Sequence, residues 1–232
     1  MLTCKALTLR QGDFALRADL TFADGQVTAL IGPSGAGKST LLAALAGFLA
    51  PVSGQVMWEG HDLTQTAPGE RPISVLFQDN NLFPHLTIAQ NVGLALRPHL
   101  RLSADDNGKV SHVLKQVGLD GFETRKPAAL SGGQQSRAAL ARVLLADRPV
   151  TLLDEPFAAL GPGLKDEMLD LVQRHLRAAG QTLIMVTHDP ADAKRIANQV
   201  VLVADGVATK PLETNALFTN PPPALADYLG AG

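Results

Sequence analysis

The sequence predicts an α/β fold, a mostly parallel sheet with an antiparallel edge, interrupted by a helical insertion. Three features predict it. Short, wholly apolar runs recur at Val27–Ile31, Val150–Leu153 and Leu183–Val186, the pattern of strands buried on both faces. Helical patterning takes over from Pro84 to about Ala146. A glycine-rich loop stands between the first apolar strand and an apolar helix, where a strand–loop–helix unit needs it.

The elements follow in chain order. Leu7–Arg17 alternates apolar and polar residues and reads as edge strand, and Leu16–Phe22 continues the alternation. After Val27–Ile31 and its loop comes a buried helix over Thr40–Leu49. The uncharged stretch Ser39–Trp58 has the length of a membrane span. Gly47, Pro51, Ser53 and Gly54 break it, so it reads as that helix, a turn and an entering strand. Ile73–Phe77 is another buried strand. Ile88–Leu96, Asp105–Val117 and Arg137–Leu145 are the helices of the insertion. Strands return at Val150–Leu153, Leu183–Val186 and Val200–Ala204, with an amphipathic helix over Leu164–Ala179 among them. The expected organisation is one domain over 1–232: a core of 1–83 and 147–232, a helical lobe of 84–146, and no further C-terminal domain.

Composition narrows the function. The 232 residues include 20 basic and 22 acidic side chains for a net charge of −2, so nucleic acid is not the expected partner. Aromatics make up 4%, too few for a base-stacking surface. The single cysteine, Cys4, excludes an intrachain disulfide and reads as a small buried residue. No apolar leader follows Met1, and any membrane role is expected to come through a partner. His61, His85, His99, His112 and His175 lack metal-ligand spacing.

The chemistry is concentrated in a few segments. Gly32-Pro33-Ser34-Gly35-Ala36-Gly37-Lys38-Ser39 matches the phosphate-loop pattern, which arises by chance in about one chain in a hundred of this length. Its backbone N–H groups and the helix start form an anion nest. Lys38 reaches terminal phosphates, Ser39 coordinates Mg²⁺, and Thr40 is a second phosphate donor. Val150–Asp154 carries a carboxylate to the sheet edge, where Asp154 can hold the Mg²⁺ hydration shell. Glu155 falls on the opposite side, where it can orient or deprotonate an attacking water. These features alone leave many nucleoside triphosphatases open, small-molecule kinases included.

Leu130-Ser131-Gly132-Gly133-Gln134 narrows the choice. It reads as a helix start with Ser131 as N-cap and glycines leaving N–H groups open to an anion. With the phosphate loop already holding one nucleotide, the sequence resembles the ABC ATPase family, in which this element closes over the nucleotide of the other subunit. The resemblance implies a P-loop cassette with a RecA-like core, binding ATP and Mg²⁺ in a head-to-tail homodimer. It assigns Gln78 to the Mg²⁺ and attacking water, and His188, in Val186-Thr187-His188-Asp189, to the γ-phosphate.

Three departures accompany the resemblance. Pro156-Phe157-Ala158-Ala159-Leu160-Gly161 has glycine where the family has an intersubunit aspartate, which bears on hydrolysis rate and cooperativity. Gln11 falls where the family has an adenine-stacking aromatic, with Phe14 either a substitute or ordinary core. Ser136 replaces a long polar side chain.

A lone cassette without a membrane span resembles an importer subunit that docks on a separate permease. The dock falls around Gln78–Leu86, with Leu82, Phe83, Leu86 and Ile88 as apolar anchors; helical-lobe core is the competing reading for Leu86 and Ile88. Asn80-Asn81-Leu82-Phe83, Ala46-Gly47-Phe48-Leu49 and Val201–Gly206 resemble the thiamine-importer branch of the family. That resemblance implies a peripheral subunit on the cytoplasmic face of a bacterial inner membrane. A periplasmic binding protein would be an indirect partner, and the solute would make no contact with this chain. An ATPase of an iron, polyamine or oxyanion importer, or a non-transport ABC regulatory ATPase, is the alternative.

Overall fold

The computed structural model describes residues 1–228. Residues 229–232, counted in the core by the sequence reading, lie outside the described residues. The chain falls into two compact units, Met1–Ile73 with Pro149–Asp154 and Leu176–Gly232, and Ser74–Arg148 with Glu155–His175.

In the first unit, β1 (Leu2–Gln11) and β2 (Phe14–Phe22) form a hairpin closed at Gly12-Asp13. The alternation expected over Leu7–Arg17 therefore turns back on itself, with Gly12 supplying the left-handed backbone at φ 60°. β3 (Val27–Ile31) is buried along its whole length. It feeds α1 (Lys38–Ala46), shorter than expected because Gly47, left-handed at φ 90°, donates its N–H to Ala43 and Ala44 and closes the helix before Leu49. β4 (Ser53–Trp58) and β5 (His61–Asp62) extend the antiparallel edge. β6 (Ile73–Leu76) leads into the second unit.

The second unit holds α2 (Ile88–Gly93), α3 (Ala104–Gln116) and α4 (Gly132–Ala146), which pack on one another. Thr87, Ser103 and Ser131 each begin a helix with a reciprocal capping box. α4 starts five residues before the expected Arg137, because the cap outweighs the low helix propensity of two glycines.

β7 (Val150–Asp154) returns to the first unit, and α5 (Pro162–Ala179) lies in the second as far as His175. β8 (Thr182–Val186), α6 (Pro190–Ile196), β9 (Gln199–Ala204), β10 (Val207–Ala208), β11 (Leu212–Glu213), α7 (Thr214–Thr219) and α8 (Pro223–Tyr228) complete the chain. The strands of the first unit run β5-β4-β1-β2-β10-β9-β3-β8-β7, with β11 on β9. β9, β3, β8 and β7 are mutually parallel, with Leu30 opposite Val186 and Val186 opposite Asp154. Ala29, Ile31, Val200 and Leu202 pack with Ala193, Leu217 and Leu225 beneath the sheet. Among the described residues, no helix is long and apolar enough to cross a membrane.

Candidate functional site

Three parallel strands end at one level, so the sheet's carboxyl edge gathers the loop after Ile31, Asp154 at the end of β7, and Thr187-His188-Asp189 after β8. That edge is where ligands bind in open α/β sheets. Gly32 opens the loop against β9, where a Cβ would collide with the backbone carbonyl of Val203, so only glycine fits. Gly37 is the N-cap of α1 at φ 99° and supplies no side-chain cap. The first N–H groups of α1 are therefore not capped by a side chain, a configuration suited to an anion. Pro33, Ser34 and Gly35 are exposed, and Ala36 and Thr40 half-buried.

Lys38 is buried, and its ammonium donates to the carbonyl oxygens of Gly32 and Pro33, both at 2.8 Å. The exposed Ser39 hydroxyl donates to Asp154 Oδ1 at 3.1 Å, while Asp154 is 5% exposed. A hydroxyl beside a carboxylate is an all-oxygen donor pair, the chemistry Mg²⁺ prefers. On the neighbouring loop, Thr187 Oγ1 donates to Asp192 Oδ2 at 2.9 Å and accepts from the Asp189 N–H at 3.1 Å. Asp189 caps α6 through the Ala191 N–H, and His188 stands exposed at this turn.

Phe14 opens β2, cross-strand from the exposed Gln11, and is half-buried. Its ring edge lies 2.5 Å from where a Gly37 Cβ would be, so it rests on the start of α1.

In the second unit, Ser131 Oγ accepts from the Gln134 N–H at 3.3 Å, and Gln134 Oε1 accepts from the Ser131 N–H at 2.9 Å. Ser131 and Gly132 are exposed, and Gly133 packs so closely that a Cβ would sit 2.9 Å from Leu160. Ser136 is buried and donates to the Gly132 carbonyl, so the smaller residue is absorbed within its own helix. Gln78 is exposed in a turn closed by the Asn80 N–H on the Phe77 carbonyl at 3.0 Å. Glu155 leaves the strand pattern at φ 46° directly after Asp154. Gly161 carries the carbonyl that starts α5, accepting from the Lys165 N–H at 2.9 Å, and nothing lies within 4 Å of a Cβ there.

The ABC transporter family matches residues 16–158, more than half of the chain. The chain belongs to that family. The thiamine import ATP-binding protein ThiQ of Cereibacter sphaeroides is 59% identical over 230 residues, covering 99% of this chain and 100% of that protein. The protein of the same name from a Ruegeria species is 56% identical over 231 residues, the whole of both chains. A dimeric post-hydrolysis state of the ATP-binding cassette MJ0796 bound to ADP and Pi is 29% identical, with a TM-score of 0.83 over 92% of this chain and 99% of that one. The fold is thus that of an ABC ATPase cassette, as the sequence resemblance implies.

Among ABC cassette features, the expected apolar docking set is only partly surface. Phe83 is 47% exposed and Leu82 and Leu86 are half-buried, but Ile88 is fully buried and drops out as an anchor. Its place as first residue of α2 points it into the helical core. Among the described residues no cluster of three His, Cys, Asp or Glu could hold a metal. Sequence reasoning missed three residues that hold the functional loops. Arg71 grips the far end of α1, Asn91 bonds Phe83 through both backbone groups, and Arg142 bonds the carbonyls of Asn80 and Asn81. Asp189-Pro190, a cap followed by proline, was the available signal for α6.

Proposed function

We propose that this chain is the ATP-hydrolysing subunit of a thiamine importer, working as a homodimer on a separate membrane permease. The observation that carries the ATPase reading is the Ser39–Asp154 pair, 3.1 Å apart beside the N-terminus of α1 at the sheet edge. The solute rests on the full-length likeness to proteins named for thiamine import. The same likeness favours a peripheral location on the cytoplasmic side of a bacterial membrane, with a periplasmic binding protein as indirect partner.

Each residue has a part. The backbone of Gly32–Gly37 wraps the phosphates, Lys38 exchanges its loop carbonyls for phosphate oxygens, and Thr40 adds a donor. Ser39, Asp154 and Gln78 are the residues that would hold Mg²⁺, which would neutralise phosphate charge when bound. Glu155 orients and deprotonates the water, and His188 steadies the γ-phosphate. Ser131, Gly132, Gly133 and Gln134 serve the nucleotide of the other subunit. The lobe proposed to present them, residues 84–146, falls within the second compact unit, which also takes in 74–83, 147–148 and 155–175 of the proposed core of 1–83 and 147–232.

The test is uptake of labelled thiamine in cells with and without this chain, with Glu155→Gln as control. Uptake should require both the chain and Glu155, and loss of the base should slow hydrolysis by about 10²–10⁴-fold. Parent-rate hydrolysis by Glu155→Gln overturns the base assignment. Undiminished uptake in a deletion strain lacking other thiamine routes overturns the substrate.

A further inference from the structure

The turn that carries Gln78 is held from behind by a side chain of α4. Asn80 and Asn81 are both left-handed, at φ 58° and 46°, which turns their carbonyls toward α4. Arg142, in the last part of α4, donates Nη2 to the Asn80 carbonyl at 3.0 Å and Nη1 to the Asn81 carbonyl at 2.9 Å. Burial lowers the pKa of this guanidinium from its ordinary value. The contact spans 62 positions of sequence and takes both donors of a planar fork, the geometry that a lysine cannot reproduce. A second hold lies just beyond it. Asn91, fully buried on α2, accepts from the Phe83 N–H at 2.7 Å and donates to the Phe83 carbonyl at 3.0 Å.

The mechanical consequence follows from where α4 begins. Its first residues are Gly132 and Gly133, capped by Ser131, about ten residues and three turns from Arg142. A continuous helix transmits displacement along its length with little bending over three turns. The side chain that grips the Gln78 turn therefore sits on the same rigid rod as the Ser131–Gln134 helix start. We propose that Arg142 is a positioning residue that makes the Gln78–Phe83 turn and α4 move as one piece, so that a push on the turn from the permease is delivered to the nucleotide-facing helix start. This rests on the proposed importer reading.

The test uses the complete transporter in proteoliposomes, with Arg142→Met and Arg142→Lys beside the parent. Three quantities are read: basal ATP hydrolysis, its stimulation by permease and loaded binding protein, and amide hydrogen exchange across 78–86 and 132–146. Arg142→Met should keep basal hydrolysis within about twofold while stimulation falls by about tenfold, the size of a typical coupling between sites. Exchange should rise in 80–83 and stay unchanged in α4. Arg142→Lys should fall between, because one ammonium cannot serve both carbonyls in the same geometry. A purely structural role would lower basal and stimulated hydrolysis in proportion, and that result overturns the proposal. So does unchanged stimulation. A parent transporter that imports a solute other than thiamine refutes the substrate reading alone, since the ratio of stimulated to basal hydrolysis still scores Arg142.

Discussion

Replacing Arg71 by methionine should be one of the most destabilising single changes in the first unit. Arg71 is 2% exposed and spends its guanidinium on backbone carbonyls: Ala44 at 2.9 Å and Leu45 at 2.7 Å from Nη1, Thr66 at 3.0 Å from Nε, and Thr64 at 3.3 Å from Nη2. Ala44 and Leu45 lie in the last turn of α1, at the negative end of the dipole, where Ala44 also accepts from the Gly47 N–H. Methionine fills similar volume but takes the charged donor from the Leu45 carbonyl and leaves Ala44 the Gly47 N–H alone, at about 1–3 kcal/mol for each bond lost. Loss of the cation at the helix end adds roughly 0.3–2 kcal/mol. Relief of the guanidinium's own burial, which already lowers its pKa, offsets part of this. The net expectation is about 3 kcal/mol, a shift of about 1 M in the urea midpoint at a slope near 3 kcal/mol per M. Arg71→Lys should lose about half as much, since one ammonium cannot reach four carbonyls. Gly47→Ala offers an independent route, because its Cβ would lie 2.6 Å from Arg71 Nε. In a double-mutant cycle the two changes should add to less than their sum. A midpoint for Arg71→Met within about 0.5 kcal/mol of the parent, the range of ordinary surface changes, would refute the reasoning.

Gly161→Asp should stabilise slightly, because position 161 caps α5, its φ is not left-handed, and its Cβ meets open space. Aspartate exceeds glycine at an N-cap by a few tenths of a kcal/mol, or about 1 °C in melting temperature; a lower melting temperature contradicts the cap. The same variant should change the rate or cooperativity of ATP hydrolysis, and identical kinetics would make the departure neutral. Stability should also fall in alkali through Cys4, whose thiol is pushed up to about 12 from 9.0, by burial first and then by Asp19. The unfolded chain loses that proton near pH 9 and the folded one near 12, so the contribution is whole below 9. It then declines by about 1.4 kcal/mol per pH unit up to 12. Urea midpoints at pH 8 and 10 should differ less for Cys4→Ala than for the parent, and an equal difference would exclude this source.

What the sequence made legible and what it hid have a common physical basis. Val27–Ile31 matches β3 to the residue, because a strand buried on both faces must be apolar throughout and Gly32 marks its end. The shape of the Gly32–Gly37 loop and the Ser131 cap were equally readable, since both rest on backbone shapes that demand particular small residues. Gly132-Gly133 hid the first turn of α4, although Ser131 and Gln134 already spelled its capping box. Arg71, Asn91 and Arg142 were invisible for a different reason. Their partners are main-chain carbonyls, which every residue has, so no pairing of side-chain types betrays the contact.

Those carbonyl contacts also change how the proposed phosphate loop should be viewed. Its entrance is set by Gly32 packed on the Val203 backbone, its exit rests on the Phe14 ring at Gly37, and the far end of its helix is fastened by Arg71. The Lys38 ammonium, bound to the carbonyls of Gly32 and Pro33, already sits inside the loop. A loop held at three points loses little conformational freedom when an anion arrives, so the energy of phosphate contacts is not spent on ordering it. Phe14→Ala would remove one of those points without touching a phosphate donor. It should therefore raise the KM for ATP more than it lowers kcat, as expected when the lost interaction serves ground state and transition state alike. A fall in kcat with KM unchanged would mean instead that Phe14 acts on the hydrolytic step and not on the resting shape of the loop.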